Sequence, residues 1–561
     1  MKYAYAAFSS VVLAAAIVAV SSCSDPIDCT DRRDCPSDFD SGAGRTGNDA
    51  GAPGAMDVGG SAGVTGAPSE AGAGGSAGAT EVESCDPNAD PATTACVIAD
   101  QYGTFVAPYG NDDTADGSQA KPFATVTKAL SAVAEQKRAR IYVCAAEYSE
   151  PDTITPLDGS SIFGGFSCDG GAWAYDAPVK ALLTIESPVA AIIDSAKRGV
   201  TLEDVRLDAA DAPQNDTGAS SFGLVVNASK AIALVRVELH AGKGGGGRPG
   251  VTPDVPMAPV STSEQDGRAA VCAAVLVPPT APLGGFAAVS KCGTGGRGGI
   301  GYGTFDHSGA SGSPTTNLVS VPQPNGGAAI TAADPAGIAA RPGGAGLDGA
   351  AGTFGNLAGA VGSFGPAGYV GAAGGNGTNG GAGQGGGGGG ASKEFSAPGL
   401  TCDAAGGGAG GAGGCGGSGG AGGGGGGASV GMLSWNSDVT LDAVVLISMA
   451  GGAGGKGATG LAGGIGSEGG KGGVGNGNGA VLDGGHGGKG GNGGVGGPGA
   501  GGTGGPSLGL VYNGVKPIGV SGCVLTPGIG GAAGPGGLGA TPSSPAPNGL
   551  PGIARGEYPV H

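Results

Sequence analysis

The stretch SFGLVVN at residues 221–227 decides the fold, because it returns later in the chain with the same surroundings. It reads SLGLVYN at residues 507–513, and a looser copy begins as SVGM at residues 429–432. Behind the two matching copies, apolar residues fall at identical offsets: Ile232, Leu234, Val237 and Leu239 after the first, and Ile518, Val520, Cys523 and Leu525 after the second. Three short runs of alternating apolar residues are typical of one coil of a parallel β-helix. The sequence therefore predicts an all-β solenoid of few coils, each burying its inward residues against its neighbours.

A further coil precedes the first copy, and the coils are separated by connections of very different length. The template positions of this earlier coil are occupied by Ile192, Ile193, Val200, Leu202, Val205 and Leu207. The connection to the next coil has about 12 residues, whereas the later connections span residues 241–428 and 452–506. Because all three leave at the same template position, we expect long glycine-rich loops to project from one corner of the solenoid.

Residues 101–240 have the features of the beginning of such a solenoid. Residues 103–123, GTFVAPYGNDDTADGSQAKPF, lead into residues 124–138, where apolar side chains have helical spacing. The strand-like pieces RIYVC (140–144) and IFGGF (162–166) follow. Together these motifs resemble the start of secreted right-handed parallel β-helix proteins of the pectin-lyase-like type. The resemblance implies that the helix covers the open end of the first coil, and it says little about activity.

Glycine accounts for 132 of the 561 residues, and much of it recurs with a period of three. Residues 359–389 have glycine at every third position, and residues 451–505 do so with two exceptions. This period fits a threefold extended helix, whereas collagen would also need abundant proline. We therefore expect a bundle of polyglycine II helices, with turns or edges at residues 393–403 and 478–483. A disordered brush is the competing interpretation, because ordering glycine costs roughly 0.5–1 kcal/mol more than ordering alanine.

The beginning of the chain has the pattern of an export signal. Lys2 precedes an apolar run that ends at Val20, and the run is too short to span a bilayer comfortably. Its end, VSSC at residues 20–23, resembles a bacterial lipobox. The resemblance implies that Cys23 is lipidated, becomes the new N-terminus and anchors the protein through acyl chains such as palmitate. The alternative is an ordinary cleaved signal peptide with an incidental cysteine, and Ser24 favours the outer membrane over the inner one.

Eleven further cysteines agree with an oxidising compartment. The sequence contains no CxxC pair and no Cys/His cluster that would indicate a zinc site. Short-range disulfides are therefore the favoured interpretation. Cys523 is left over. The expected pairs are Cys29 with Cys35, Cys85 with Cys96, Cys144 with Cys168, Cys272 with Cys292, and Cys402 with Cys415.

Composition divides the chain into alternating segments. Residues 24–90 are rich in Asp, Gly, Ala and Ser and cannot bury enough apolar surface to order themselves. The predicted organisation is a signal peptide with its lipidation cysteine (1–23), a disordered acidic tether (24–90), a capping helix with the first coils (101–240), a glycine-rich insertion (241–428), a coil (429–451), a triplet-glycine insertion (452–506), a coil (507–528) and a glycine- and proline-rich tail (529–561).

Two acidic groups are candidate sites. The first is Glu203, Asp204, Asp208 and Asp211, with Arg198 and Arg206 as the candidate basic partners nearby. Carboxylates on a β-helix could form an acid–base groove, but a solvated turn edge is the interpretation that we favour. The second group is Asn111 with Asp112, Asp113 and Asp116, whose oxygens could ligate calcium. Such a loop more often caps the helix that follows it.

The formal net charge of −18 argues against nucleic acid or an anionic membrane surface as a partner. We expect a non-catalytic, structural or adhesive lipoprotein without a cofactor, presenting glycine-rich arms on a β-helix stalk. It resembles the PGRS-type glycine-rich lipoproteins of large-genome envelope bacteria. The expected location is the cell envelope, in the outer membrane facing outward or in the periplasm. The expected partners are the lipid bilayer and envelope polysaccharide or like molecules. The alternatives are a polysaccharide lyase or hydrolase, and a carbohydrate- or ice-binding module.

Overall fold

The computed structural model describes most of the chain after residue 84. The described residues are 85–136, 139–176, 179–215, 217–252, 254, 263–273, 283–301, 307–313, 339–539 and 545–561. They belong to one compact unit, which spans residues 82–561; a second unit, residues 1–81, lies outside the described residues. The predictions for Cys23, for Cys29 with Cys35 and for most of the tether therefore also lie outside them.

Short strands make up nearly all of the regular structure. Up to the first long insertion these are β1 (Gly103–Val106), β2 (Arg140–Cys144), β3 (Glu147–Glu150), β4 (Ser161–Ser167), β5 (Ala174–Tyr175), β6 (Ala181–Ile185), β7 (Val189–Asp194), β8 (Val200–Glu203), β9 (Val205–Ala209), β10 (Ser221–Asn227), β11 (Ile232–Val235) and β12 (Glu238–His240). The later strands are β13 (Cys272–Ala273), β14 (Gly362–Gly365), β15 (Gly368–Gly371), β16 (Phe395–Ala397), β17 (Leu400–Cys402), β18 (Ser429–Trp435), β19 (Val439–Asp442), β20 (Val445–Ile447), β21 (Ser507–Asn513), β22 (Val524–Thr526) and β23 (Ala554–Val560). Helix α1 is Val126–Gln136, and the 3-10 helices are Ala95–Val97, Asp169–Gly171, Ser263–Gln265 and Val520–Gly522.

Three long parallel sheets form the faces of a β-helix. Sheet A has the order β1-β2-β4-β8-β11-β19, with β5 added antiparallel to β4. Sheet B has the order β3-β6-β9-β12-β20-β22, and sheet C has the order β7-β10-β18-β21-β23. One coil passes through sheets C, A and B in turn, as β10, β11 and β12 do. The predicted all-β class and parallel β-helix are therefore present.

The register between the coils matches the predicted template. Ser221 pairs with Ser429, which pairs with Ser507. In the same way Leu224 pairs with Met432, and Met432 with Leu510. Inward side chains thus stack on their equivalents in the next coil, and the stacked columns of the three sheets form one aliphatic core inside the solenoid. Its members include Ile193, Val200, Leu202, Leu207, Leu224, Ile232, Leu234, Leu239, Leu441, Leu446 and Leu510, all at most 3% exposed.

The glycine at the third position of each copy allows other parts of the solenoid to approach its backbone closely. A Cβ built on Gly223 would lie 3.1 Å from the Cβ of Leu239, and one on Gly431 would lie 3.1 Å from the Cβ of Leu446. Because a neighbouring coil also presents its carbonyl oxygen there, no side chain fits at this position. This explains why the Gly-Leu pair recurs in the template.

Helix α1 covers the first coil, as the resemblance implied. Val126, Ala129, Leu130 and Val133 are buried in the same cluster as the inward residues of the coils. The helix is held at its beginning by a strand residue, since Glu150 accepts hydrogen bonds from the backbone N–H groups of Val126 and Thr127, at 2.6 and 3.1 Å. A buried carboxylate at this end of a helix satisfies donors that otherwise have no partner.

The glycine tracts form an ordered bundle of extended segments in the described residues. The central segment, residues 404–427, shares backbone hydrogen bonds with residues 293–301, 374–389, 452–473 and 485–503. Both partners advance by three residues from one bond to the next. In the pairing with residues 485–503, for example, the N–H groups of Gly408, Gly411, Gly414 and Gly417 donate to the carbonyls of Gly485, Gly488, Gly491 and Gly494. A shared period of three is what packed threefold helices require.

The insertions leave from one corner of the solenoid, between sheets B and C, and their segments pack together. Both insertions and residues 529–539 and 545–552 of the tail contribute segments to the same bundle. Residues 362–371, which belong to the triplet tract at residues 359–389, do not form a threefold helix. They form the antiparallel hairpin β14–β15, because Phe364 and Tyr369 pack with Phe222 and Tyr558 on the outer face of sheet C. Burying these rings fastens the bundle to the solenoid.

The disulfides correct two of the expected pairs. Cys85–Cys96 and Cys144–Cys168 form as predicted. However, Cys272 is bonded to Cys402, and Cys292 to Cys415, with sequence separations of 130 and 123 residues. Strand β13 pairs with β17, and Gly293 pairs with Gly413, so segments far apart in sequence lie side by side. Cys523 is free and partly buried in the solenoid interior.

Candidate functional site

The acidic group predicted at residues 203–211 is divided by the fold into separate clusters. Glu203 and Asp204 lie at the corner between sheets A and B. Asp204 and Arg236 occupy the same corner position in successive coils, with positive φ angles of 51° and 53°. The Nε and one terminal nitrogen of Arg236 donate to the two carboxylate oxygens of Asp204, both at 2.8 Å. The same terminal nitrogen also donates to Glu203 and to Tyr175.

This corner cluster is buried and electrostatically coupled. Asp204 is fully buried and Glu203 is 5% exposed. Burial raises the pKa of Glu203, and the neighbouring Asp90 carboxylate raises it further, while Arg236 opposes both. Burial and the hydrogen bond donated to Asp204 raise the pKa of Tyr175. The bond to Asp204 raises the pKa of Arg236, so this guanidinium stays charged. A bidentate pair of this kind holds the corner of the coil in one conformation.

Sequence reasoning missed both Arg236 and Tyr175 as members of this cluster. The signal for Arg236 was available: when the two coils are aligned, Val235 pairs with Glu203 and the next residue falls beside Asp204. Tyr175 had no such signal, because it arrives on β5, a short antiparallel addition to sheet A.

Asp208 belongs to a different cluster on the outer face of sheet B. Arg206 donates to both of its oxygens at 2.8 Å. The Nδ1 atom of His240 lies 3.2 Å from Asp208, and its Nε2 atom lies 3.9 Å from Glu238, which is bonded to Lys180. Burial is the main cause that lowers the pKa of His240. Neighbouring coils thus line up charges of alternating sign across the face.

The remaining members of the predicted acidic group are ion-paired on the surface. The Nε atom of Arg198 lies 3.5 Å from Asp158, and Lys243 lies 3.6 Å from Asp211. Exposed pairs of this kind are worth roughly 0–1 kcal/mol each. The four carboxylates therefore do not line a single groove with Arg198 and Arg206.

The loop proposed for calcium holds the two residues that precede helix α1. Asp112 accepts hydrogen bonds from the backbone of Ala124 and Thr125 and from the Thr125 hydroxyl. Asp116 accepts from the backbone of Ser118, and hydrogen bonds from Ser118 lower the pKa of Asp116. Within the described ranges, no group of three or more His, Cys, Asp or Glu side chains could hold a metal ion. Asp113 takes no part in such a group. The loop instead supports the start of the helix, whose first N–H groups are bonded by Glu150 and Thr125.

The outer surface of the glycine bundle presents side chains in rows. Every third residue from 453 to 474 points outward or is half-buried, namely Ala453, Lys456, Thr459, Ala462, Ile465, Glu468, Lys471 and Val474. Glu468 is ion-paired with Lys489 of the adjacent segment at 2.9 Å. The central segment instead has small side chains at its triplet positions, such as the fully buried Ala409 and Ala412. Large side chains thus mark the outer segments, where they prevent another helix from packing against the bundle.

This fold makes the chain a parallel β-helix protein with a glycine bundle inserted at one corner. Residues 109–158 match the family described as "Protein of unknown function (DUF1565)", which is associated with β-helix proteins. The match covers helix α1 and strands β2 and β3. No curated protein and no solved structure matches the chain. Within the described residues, no helix has the length and apolar character that crossing a membrane requires.

Proposed function

We propose that this protein is a non-catalytic structural or adhesive lipoprotein of the cell envelope. Cys23 anchors it to the membrane through acyl chains, and residues 24–84 form a tether, which is shorter than predicted because residues 85–90 are held by Cys85–Cys96 and by Arg140. The β-helix carries the glycine bundle outward. Envelope polysaccharide or neighbouring envelope molecules are the partners. The protein resembles PGRS-type glycine-rich lipoproteins in composition.

The observation that carries the proposal is how the glycine bundle is built. Residues 245–251 join the four segments named above in bonding to the backbone of residues 404–427, and two disulfides join distant parts of the first insertion. A large part of the described chain thus forms an ordered element with outward rows of mixed charged, aliphatic and small side chains. Such a surface supports contact with other envelope components over a large area.

The anchoring part is tested by lipidation. Cells expressing the full chain are fed an alkyne-tagged fatty acid, and incorporation is compared between the wild type and Cys23→Ala. We expect label and membrane association in the wild type only. Equal label in both proteins, or none in either, would contradict anchoring through Cys23.

The role of the bundle is tested in the same cells by adhesion and cell–cell cohesion. Gly411→Ala places a methyl group against the carbonyl oxygen of Ser467 inside the bundle, whereas Gly359→Ala adds one where no atom lies within 4 Å. We expect the first substitution to reduce adhesion and the second to leave it unchanged, with anchoring intact in both. Unaltered adhesion with Gly411→Ala would contradict the role of the bundle.

Direct assays separate this proposal from the two alternatives. A polysaccharide lyase or hydrolase would release soluble oligosaccharides, and Glu203→Gln would abolish their release, because Glu203 is the carboxylate with a raised pKa beside an arginine. An ice-binding module would slow ice growth through a regular open face. The row at residues 453–474 is interrupted by Lys456, Glu468 and Lys471, which does not favour that function.

A further inference from the structure

A polar cleft of about 450 Å³ lies on the outer face of sheet A, away from the glycine bundle. Its floor is formed by neighbouring residues of β2, β4 and β8, and its walls by residues 87–90 and 101–102. The floor residues are Arg140, Ser161, Phe163, Thr201 and Glu203. The wall is held in place by the disulfide Cys85–Cys96 and by the bond that Arg140 donates to the carbonyl of Ala89 at 2.7 Å. The volume is within the range of small-ligand sites.

Arg140 is the least expected residue of this cleft. It is 7% exposed, and no carboxylate in the described part of the chain lies within 4.0 Å of its guanidinium. Its guanidinium lies 5.3 Å from the ring centroid of Phe163, and it donates to Ala89 and, at 3.4 Å, to the hydroxyl of Tyr142. A guanidinium has five N–H donors. Buried charges are ordinarily paired with an opposite charge. Arg140 has no such partner among the described residues, so the donors that Ala89 and Tyr142 do not use are available for a ligand.

Acceptors and neutral polar groups line the rest of the cleft. Glu203 closes the floor beside Thr201, and Asp90 stands in the wall, near enough for its charge to act on Glu203. Asn88, Gln101 and the half-buried ring of Tyr102 complete the wall. A positively charged hydrogen-bond donor and negatively charged acceptors therefore lie close together in one small cleft.

We propose that this cleft binds a neutral, polyhydroxylated ligand, namely a sugar unit of an uncharged saccharide. A sugar hydroxyl both donates and accepts, so adjacent hydroxyls bond to a guanidinium and a carboxylate at the same time. An anionic ligand meets the carboxylates of Asp90 and Glu203, and a cationic ligand meets Arg140. An apolar ligand leaves these polar groups desolvated without partners. The inference does not depend on the structural role proposed above.

Saturation-transfer NMR and calorimetry on the full chain test this site. The probes are the neutral disaccharides cellobiose, maltose and N,N′-diacetylchitobiose, with digalacturonate and glucosamine as charged comparators. We expect at least one neutral probe to bind. Arg140→Gln and Asp90→Asn should each weaken its binding by about tenfold or more, because a hydrogen bond to a charged group is lost.

Two features of the variants keep the test decisive. Asp90 is exposed, and asparagine keeps the oxygen that accepts from the backbone of Ala92, so Asp90→Asn folds even if Arg140→Gln does not. Asp152→Asn, an exposed substitution outside the cleft, is the matched control and should bind like the wild type. The proposal is overturned if no neutral probe binds up to about 50 mM, if only a charged probe binds, or if Asp90→Asn binds as tightly as the wild type.

Discussion

The hydroxyl of Ser429 donates a 2.7 Å hydrogen bond to the carbonyl oxygen of Gly242, at the corner where the first insertion leaves the solenoid. The hydroxyl oxygen of Ser429 in turn accepts from the N–H of Met449, at the end of its own coil, at 2.8 Å. Ser221 and Ser507 make equivalent pairs of bonds in the adjacent coils. One buried serine per coil therefore satisfies the backbone at the point where the glycine insertions begin.

Replacing Ser429 by alanine should destabilise the solenoid by about 2–4 kcal/mol. The substitution leaves the buried carbonyl of Gly242 and the partly buried N–H of Met449 without this partner, and an unpaired buried group costs about 1–3 kcal/mol. Urea unfolding followed by circular dichroism measures the change. Ser396→Ala, at an exposed strand position, is the control and should lie within about 0.5 kcal/mol of the wild type. Equal midpoints for the two variants would contradict the role of the serine.

Gly411→Ala should loosen the bundle without unfolding the β-helix. The N–H of Gly411 donates to Gly488, its carbonyl accepts from Gly386, and an added methyl group would collide with the carbonyl of Ser467. Overpacking of this kind typically costs about 1–3 kcal/mol. Hydrogen exchange should become faster at residues 404–427 and stay unchanged in β10. Gly359→Ala, where no atom lies within 4 Å of the added methyl group, should leave exchange in both regions unchanged. Exchange of residues 404–427 as slow in Gly411→Ala as in the wild type would contradict the bundle.

The long-range disulfides should be recovered by peptide mapping without reduction. We expect a peptide joining Cys292 to Cys415 and another joining Cys272 to Cys402. With Cys272–Cys402 still in place, replacing Cys292 and Cys415 by serine should lower the stability of the bundle by roughly 3–4 kcal/mol, because the loop released then spans about 33 residues, 20 from Cys272 to Cys292 and 13 from Cys402 to Cys415. Recovery of Cys272 joined to Cys292 would show that the segments are not paired as described.

The stability of the solenoid should fall on acidification, in part through His240. Burial lowers its pKa in the folded state below the ordinary value of 6.5, so the unfolded chain takes up the proton first as the pH falls. Its Nε2 atom is buried and has no hydrogen-bond partner among the described residues, although Asp208, Arg206, Glu238 and Lys180 surround the ring. Stability is therefore lost below about pH 6.5.

Thermal unfolding at about pH 7.5 and about pH 5 checks this contribution. His240→Gln should lose less stability between the two values than the wild type does. His561→Gln, at an exposed position, should behave like the wild type. A decrease in His240→Gln as large as that of the wild type would assign the pH dependence to other groups.

The candidate site was only partly predictable. Glu203 and Asp204 were found because they stand out in a template of apolar residues. Their partner Arg236 was predictable in principle, since parallel coils place equivalent positions beside each other. The sequence did not predict that Asp204 and Asp208 lie in different clusters. They are only four residues apart, but Asp204 lies at the coil corner and Asp208 lies on the face that follows it.

The sequence by itself determined the stacked coils, their register and the threefold character of the glycine tracts. These follow from local periodicity: inward aliphatic residues repeat from coil to coil, and a glycine at every third position leaves room for a neighbouring backbone. Only the tertiary structure decided that both insertions and the tail share one bundle, and that Cys292 is bonded to Cys415. Backbone hydrogen bonds between glycines are nearly identical everywhere, so periodicity alone does not select the neighbour. The packing of Phe364 and Tyr369 on sheet C and the small side chains of the central segment make that choice.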